Sequence, residues 1–191
     1  MNEVLHETRK NRIFYVPKIR RIRIKNIGLW KDVLLEFADG MNVITGVTAS
    51  GKSTVLKCIL SGISGNETLL EDLAKQKNSR IEIEPAGKSM ALEIGGCFAS
   101  ENVNAYSSGE ILYNKLLGFI NKTNKGYALL IDGIMDRLSK DMFEKTLDLL
   151  QKTENQKIII TKRYEGIVNA RIFECIQDAE NNSSGILVRD V

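Results

Sequence analysis

The stretch that decides the fold is residues 41–60, MNVITGVTASGKSTVLKCIL. Met41 to Thr45 is a short apolar run of the kind found in a strand buried on both faces, and Val55, Leu56, Ile59 and Leu60 recur at the spacing of one helix face. Between them lies Gly46-Val47-Thr48-Ala49-Ser50-Gly51-Lys52-Ser53, which fits G-x-x-x-x-G-K-[ST] at every fixed position and stands in the required order of strand, glycine turn and helix. Glycines let the backbone fold around a polyphosphate, and amides at a helix N-terminus point at the anion, so the chemistry of the pattern is phosphate binding. It arises by chance in on the order of one chain in a hundred. In this reading Gly46, Thr48, Ala49, Ser50 and Gly51 wrap the phosphates of ATP and Lys52 neutralises the β- and γ-phosphates. Ser53 binds Mg²⁺ and Thr54 reaches the α-phosphate.

Two more apolar runs share the style of residues 41–45: Tyr127 to Ile131 (YALLI) and Lys157 to Ile160 (KIII), with Met142, Phe143, Leu147 and Leu150 at helical spacing between them. Continuous apolar strands alternating with helices imply a parallel sheet covered on both faces. The first of these runs ends in Asp132, an hhhhD pattern that orients Mg²⁺, here through water. Ligands of open parallel sheets bind beyond the carboxyl ends of the strands, where Thr45-Gly46, Asp132 and Thr161 all fall.

Around this centre the pattern changes. Ile19–Lys25 and Lys31–Phe37 alternate as antiparallel strands about the turn Asn26-Ile27-Gly28, and residues 172–176 and 186–188 read as a closing hairpin about residues 181–185. Residues 67–76 read as a short helix, 80–84 and 90–94 as a hairpin through Ala86-Gly87, and 108–120 as a helix with Leu112, Leu116 and Ile120 on one face. The predicted fold is an α/β P-loop NTPase in three layers, a parallel core sheet with antiparallel strands at the N- and C-terminal ends. Residues 1–15 read as a polar tail and 16–191 as a single ATP-binding domain with a small helical and hairpin lobe at about 64–122.

The chain's 191 residues exclude two large domains, and 43% hydrophobic with 27% charged residues is the make-up of a globular protein. The lone histidine, His6, excludes His-based triads and His-rich metal sites, and Cys58, Cys97 and Cys175 form no C-x-x-C pair, so they read as buried thiols. The polar N-terminus and the absence of an 18-residue apolar run predict a cytoplasmic protein with no membrane partner. Net charge is +3, yet residues 1–25 hold eight basic residues against two acidic ones. Arg21, Arg23 and Lys25 alternate with Ile22 and Ile24, which reads as the wet face of a strand or as a patch for the phosphate backbone of DNA.

The whole pattern resembles ABC-type ATPases of the SMC and RecF group. The hairpin and loop "IRIKNIGLWKDVLLEFADGMNVITGVTASGKSTVL" is similar to their opening, Tyr106-Ser107-Ser108-Gly109-Glu110 to their signature motif, Asp136-Arg137-Leu138-Ser139 to the D-loop and Thr161-Lys162-Arg163 to the switch segment. The resemblance implies an ATP-sandwiched homodimer, or pairing with a related subunit, in which Ser107, Ser108, Gly109 and Glu110 act in trans on the partner's nucleotide. Ser107-x-x-Glu110 is also a capping box, which would satisfy the first amides of the helix.

Three departures carry chemistry. The glutamate that the family places after the Mg²⁺ aspartate is Gly133 here, and the switch histidine is Lys162. General-base help is worth about 10²–10⁴ in rate, so slow hydrolysis is expected, with Glu101, Glu110 and Asp136 as substitute carboxylates and Lys162 as a cation on the γ-phosphate. The family's Mg²⁺ glutamine has no evident match, residues 98–102 being its expected location, and only 53 residues separate Lys52 from Tyr106, too few for a coiled-coil arm. Trp30 reads as core or as a stacking partner for adenine. The catalytic expectation therefore rests on Lys52, Asp132 and Lys162, and the output on an ATP-dependent dimerisation switch in a DNA-related process. The alternatives are a non-hydrolysing nucleotide-binding subunit, and a small-molecule kinase, whose arginine-rich lid is missing because Arg80 is the one arginine in 64–106.

Overall fold

The computed structural model describes residues 12–74, 78–86, 108–122, 125–178 and 180–191. Its strands are β1 (Arg12–Pro17), β2 (Ile19–Ile27), β3 (Trp30–Glu36), β4 (Met41–Gly46), β5 (Arg80–Pro85), β6 (Tyr127–Asp132), β7 (Gln156–Ile160), β8 (Ala170–Asp178) and β9 (Ser183–Asp190). Its helices are α1 (Lys52–Ser64), α2 (Ser108–Lys122) and α3 (Lys140–Gln151). One sheet runs β1-β6-β7-β4-β8-β9, with β6, β7, β4 and β8 mutually parallel and β1 and β9 antiparallel at the two edges; a second sheet runs β3-β2-β5, all antiparallel.

The apolar runs are continuous because successive residues face different layers. In β7, Ile158 and Ile160 join the core shared with α1 and the small sheet, while Ile159 joins the core under α2 and α3. On the first face α1 is sandwiched between the two sheets, its Val55, Leu56, Ile59 and Ile63 meeting Ile22, Ile24 and Leu35. On the second, Leu116, Phe119 and Leu147 cover Val43, Leu129 and Ile131. The three-layer expectation holds, with the small sheet as an added lid on one layer. No helix among the described residues is long and apolar enough to cross a membrane.

Three expectations are revised. The tail extends only to residue 11 at most, because Arg12–Pro17 is a strand on β6 whose Ile13 and Phe14 are buried on opposite faces. Burial on both faces erases alternation, which is why the segment looks like a tail in sequence. The helix expected over 67–76 is a single 3₁₀ turn, Glu67–Leu70, started by Asn66, whose side chain accepts the Thr68 amide; of its residues only Leu70 is buried. The C-terminal hairpin forms as read, but its first strand β8 pairs in parallel with β4 and so completes the core sheet. The expected strand 90–94 lies outside the described residues.

Two buried amides hold the sheets together at the end opposite the glycine turn. Gln156 Nε2 donates to the carbonyls of Ile19 (2.8 Å) and Ala38 (3.0 Å) while its Oε1 accepts the Ile19 amide (2.9 Å), linking β7 to the small sheet. Asn42 Oδ1 accepts the Ala38 amide at 2.7 Å, and its Nδ2 donates to the carbonyls of Ala38 (2.8 Å) and Lys157 (3.1 Å). The basic residues of β2 meet acidic neighbours: Arg20 and Arg21 pair with Glu84, and Arg23 grips Asp32 through two bonds of 2.9 and 2.8 Å, with Lys25 at 3.5 Å. The Arg23 guanidinium holds the Asp32 carboxyl down to about 2. This is the wet face of a strand.

Gln156→Leu removes the bonds to both backbone groups of Ile19 in a buried setting. It should lower unfolding free energy by about 2–4 kcal/mol, read as a lower urea midpoint with an unchanged slope.

Candidate nucleotide-binding site

The turn after β4 forms as its glycines require. Gly46 has φ +136 and lies so close alongside β8, where Cys175 is its register partner, that a Cβ would collide with the Cys175 carbonyl; Gly51, the residue before α1, has φ +95, and a Cβ there would lie 2.8–2.9 Å from the Trp30 indole. Trp30 is fully buried and donates its Nε1–H to the Gly51 carbonyl at 3.2 Å. It is a buttress for the turn, and the adenine-stacking expectation is withdrawn because the ring has no exposed face. At the tip, Val47, Thr48 and Ala49 are exposed, Ala49 at φ +66, whereas Ser50 is buried.

Lys52 opens α1 and folds back over the turn. Its ammonium donates to the carbonyls of Val47 (2.6 Å) and Gly46 (2.7 Å), with Ser50 Oγ at 3.4 Å. Burial pushes the ammonium below its usual range, and the charge of Lys162 adds to that depression, while Asp136 and Asp132 oppose it. Lys52 thus feels charge from two other segments, the end of β6 and the residues after β7. Ser53 is exposed at the same helix end and Thr54 is half-buried beside the β2–β3 turn at Gly28.

The neighbouring strand ends converge as expected. Asp132 closes β6 opposite Ile160, the Gly133 amide donates to the Ile160 carbonyl (3.2 Å), and the Thr161 amide donates to the Ile44 carbonyl of β4 (3.2 Å). Gly133 stands at φ +69, a backbone that L side chains rarely adopt, which gives a conformational reason for glycine where a glutamate would supply a base. Asp136 accepts Thr161 Oγ1–H (2.6 Å) and the Lys162 amide (2.8 Å) on the same oxygen, so this candidate base is engaged in holding backbone. The Lys162 side chain is exposed.

Ser108 begins α2 and Gly109 lies against Met142 and Leu138, the latter within the D-loop-like Asp136-Arg137-Leu138-Ser139. Glu110 is exposed in the first turn. Ser107, Glu101 and residues 98–102 lie outside the described residues, so neither the capping box nor the glutamine location is placed. Among the described residues no cluster of His, Cys, Asp and Glu forms a separate metal site. Cys58 and Cys175 are buried free thiols, both pushed up to about 12 by burial. The contacts missed in sequence are those of Trp30 and Cys175 with the turn; alternation in β3 groups Trp30 with the exposed Asp32, Leu34 and Glu36, so no periodic signal points to its buried seat.

Residues 21–183 match the AAA_23 family, described as an AAA domain. The chain belongs to that family. Its recognisable group is the ABC-type, SMC/RecF-like P-loop ATPases. The AAA domain is 29% identical over 119 residues to the DNA double-strand break repair Rad50 ATPase of Methanosarcina acetivorans, covering 58% of this chain and 11% of that protein. It is 26% identical over 137 residues to the DNA repair protein RecN of Helicobacter pylori, covering 70% of this chain and 25% of RecN. It therefore spans about a tenth and a quarter of these relatives' lengths. The same fold occurs in the SMC head solved with the C-winged helix domain of ScpA (TM-score 0.67, 15% identity, 92% of this chain and 99% of that one) and in the SMC head domain from Thermotoga maritima (0.61, 14%, 91% and 100%).

Trp30→Phe in this AAA domain removes the bond to Gly51 and leaves a gap beneath the turn. It should cost about 1–3 kcal/mol of stability in thermal unfolding and weaken nucleotide binding several-fold in a fluorescence titration.

Proposed function

We propose that this AAA domain binds Mg²⁺–ATP and acts as a nucleotide-dependent dimerisation switch in DNA repair or chromosome organisation, with slow hydrolysis. The observation that carries the reading is the convergence of the Gly46–Ser53 turn with Asp132 and Thr161-Lys162 at three adjacent ends of one parallel sheet. Two lysines, a helix N-terminus and exposed turn amides suit a polyphosphate, and the Ser53 hydroxyl with the Asp132 carboxylate are the hard oxygen donors that Mg²⁺ prefers. Bound there, Mg²⁺ would neutralise phosphate charge. The chain's own part is to cradle the phosphates with backbone amides, swing Lys52 from the turn carbonyls onto an anion, and exclude water beneath Gly46 and Gly51. Gly133 stands where a carboxylate would assist Asp132, and Asp136 spends Oδ1 on the Thr161 hydroxyl and the Lys162 amide, which supports slow hydrolysis.

The dimer draws on the signature-like segment at the start of α2, and the DNA-related setting on the relatives' names: double-strand break repair for Rad50 and DNA repair for RecN. On β2 the four cations Arg20, Arg21, Arg23 and Lys25 share two carboxylates, Glu84 and Asp32, so a DNA contact on that face would compete with these pairs for a net positive strand. Gly133 and Lys162 equally suit a subunit that holds ATP without turning it over, the second reading.

Light scattering with and without Mg²⁺–ATP tests the switch. A monomer becoming a dimer only with nucleotide is expected. Lys52→Ala should abolish binding, and Ser108→Arg should bind nucleotide yet stay monomeric. Normal dimerisation of Ser108→Arg would overturn the role given to residues 107–110, and unimpaired binding by Lys52→Ala would overturn the site. Gly133→Glu raising turnover would favour the weak ATPase over the silent subunit, although a side chain at φ +69 costs about 1–2 kcal/mol of stability.

A further inference from the structure

Asp136 lies beyond the end of β6 in a short 3₁₀ turn (Met135–Arg137), and its carboxylate reaches across to the chain that follows β7. One oxygen, Oδ1, accepts both Thr161 Oγ1–H at 2.6 Å and the Lys162 amide at 2.8 Å. The Arg163 amide donates to Thr161 Oγ1 at 3.0 Å, and the Arg163 guanidinium lies 4.5 Å over the Phe143 ring with Nη1 donating to the Leu138 carbonyl at 2.7 Å. Residues 161–163 are therefore fastened on both sides of Lys162 to the 135–143 segment. None of these contacts uses the Lys162 side chain, which is exposed and whose charge is felt at Lys52. A lysine is a flexible point charge, and a fixed backbone limits the space that its ammonium sweeps, which lowers the cost of placing it on a ligand.

We propose that Asp136 is a positioning residue for nucleotide: as a hydrogen-bond acceptor it fixes the Lys162 backbone, and so aims the Lys162 ammonium at the terminal phosphate of ATP. This rests on the nucleotide-binding reading and deepens it. Both bonds fall on Oδ1, so a general base would work through Oδ2 and would need the negative charge. An acceptor needs only the oxygen, and asparagine supplies one at nearly the same place.

The test is the ratio of ADP to ATP dissociation constants, measured with Mg²⁺ and fluorescent nucleotide analogues in the wild-type chain and in Lys162→Ala, Asp136→Ala and Asp136→Asn. Lys162→Ala should lower the preference for ATP by about tenfold or more, the worth of a charge-assisted bond. Asp136→Ala should lower it by about fivefold with ADP affinity unchanged, and Asp136→Asn should restore it to within about twofold. A general folding defect would weaken ADP as well, and would count against the proposal. The proposal is also overturned if Lys162→Ala lowers the ratio while Asp136→Ala leaves it intact, or if Asn and Ala are equally impaired, since the negative charge would then be the operative feature. An unchanged ratio in Lys162→Ala removes the terminal-phosphate contact itself. Absence of any ATP or ADP binding by the wild-type chain would overturn the nucleotide-binding reading, a failure distinct from the others.

Discussion

The structure depends on the space beneath one turn. Between β4 and α1 the backbone must pass directly over the Cys175 carbonyl and directly against the Trp30 indole, and only glycine leaves room at either place. Those two contacts come from opposite directions, one from the parallel neighbour β8 and one from the small antiparallel sheet. The turn is therefore a junction at which both sheets meet α1. Its shape follows from packing below it, which leaves its upper surface, Val47 to Ala49, exposed to a ligand.

The far end of the sheet has a different task. There Gln156 and Asn42, both fully buried, use nearly all their amide capacity on backbone groups at Ile19, Ala38 and Lys157, so the two sheets cannot slide without leaving polar groups unpaired. Lys157 shares that end: burial pushes its ammonium down to about 8, and its Nζ donates to the Thr153 carbonyl at 2.5 Å. The amide-knit end thus ties backbone to backbone, whereas the carboxyl end brings Asp132, Asp136 and Lys162 to the strand ends beside the turn that holds Lys52. Catalytic and binding groups on rigid strand ends keep their geometry better than groups on free loops.

The departures from the family pattern fit the local backbone. Gly133 occupies a left-handed position that the chain needs to turn from β6 toward Asp136, and Asp136 in turn holds the segment carrying Lys162. Where the family has a glutamate and a histidine, this chain has a glycine at a left-handed φ and an exposed lysine.

The phosphate loop, the buried strands 127–131 and 157–160 and the aspartate at a strand end were legible in sequence because each has a local cause: glycines for backbone shape, unbroken apolar runs for burial on two faces, a polar residue where a strand leaves the core. The antiparallel hairpins β2–β3 and β8–β9 were legible from alternation, whereas β5, read as half of a hairpin with 90–94, pairs with β2. Parallel pairing of β8 with β4, the strand formed by Arg12–Pro17, the seat of Trp30 under Gly51 and the engagement of Asp136 with Thr161 and Lys162 were decided only by tertiary structure. These contacts join residues from 21 to more than 100 positions apart, and no local spacing encodes which strand edge or which backbone amide a distant group will meet.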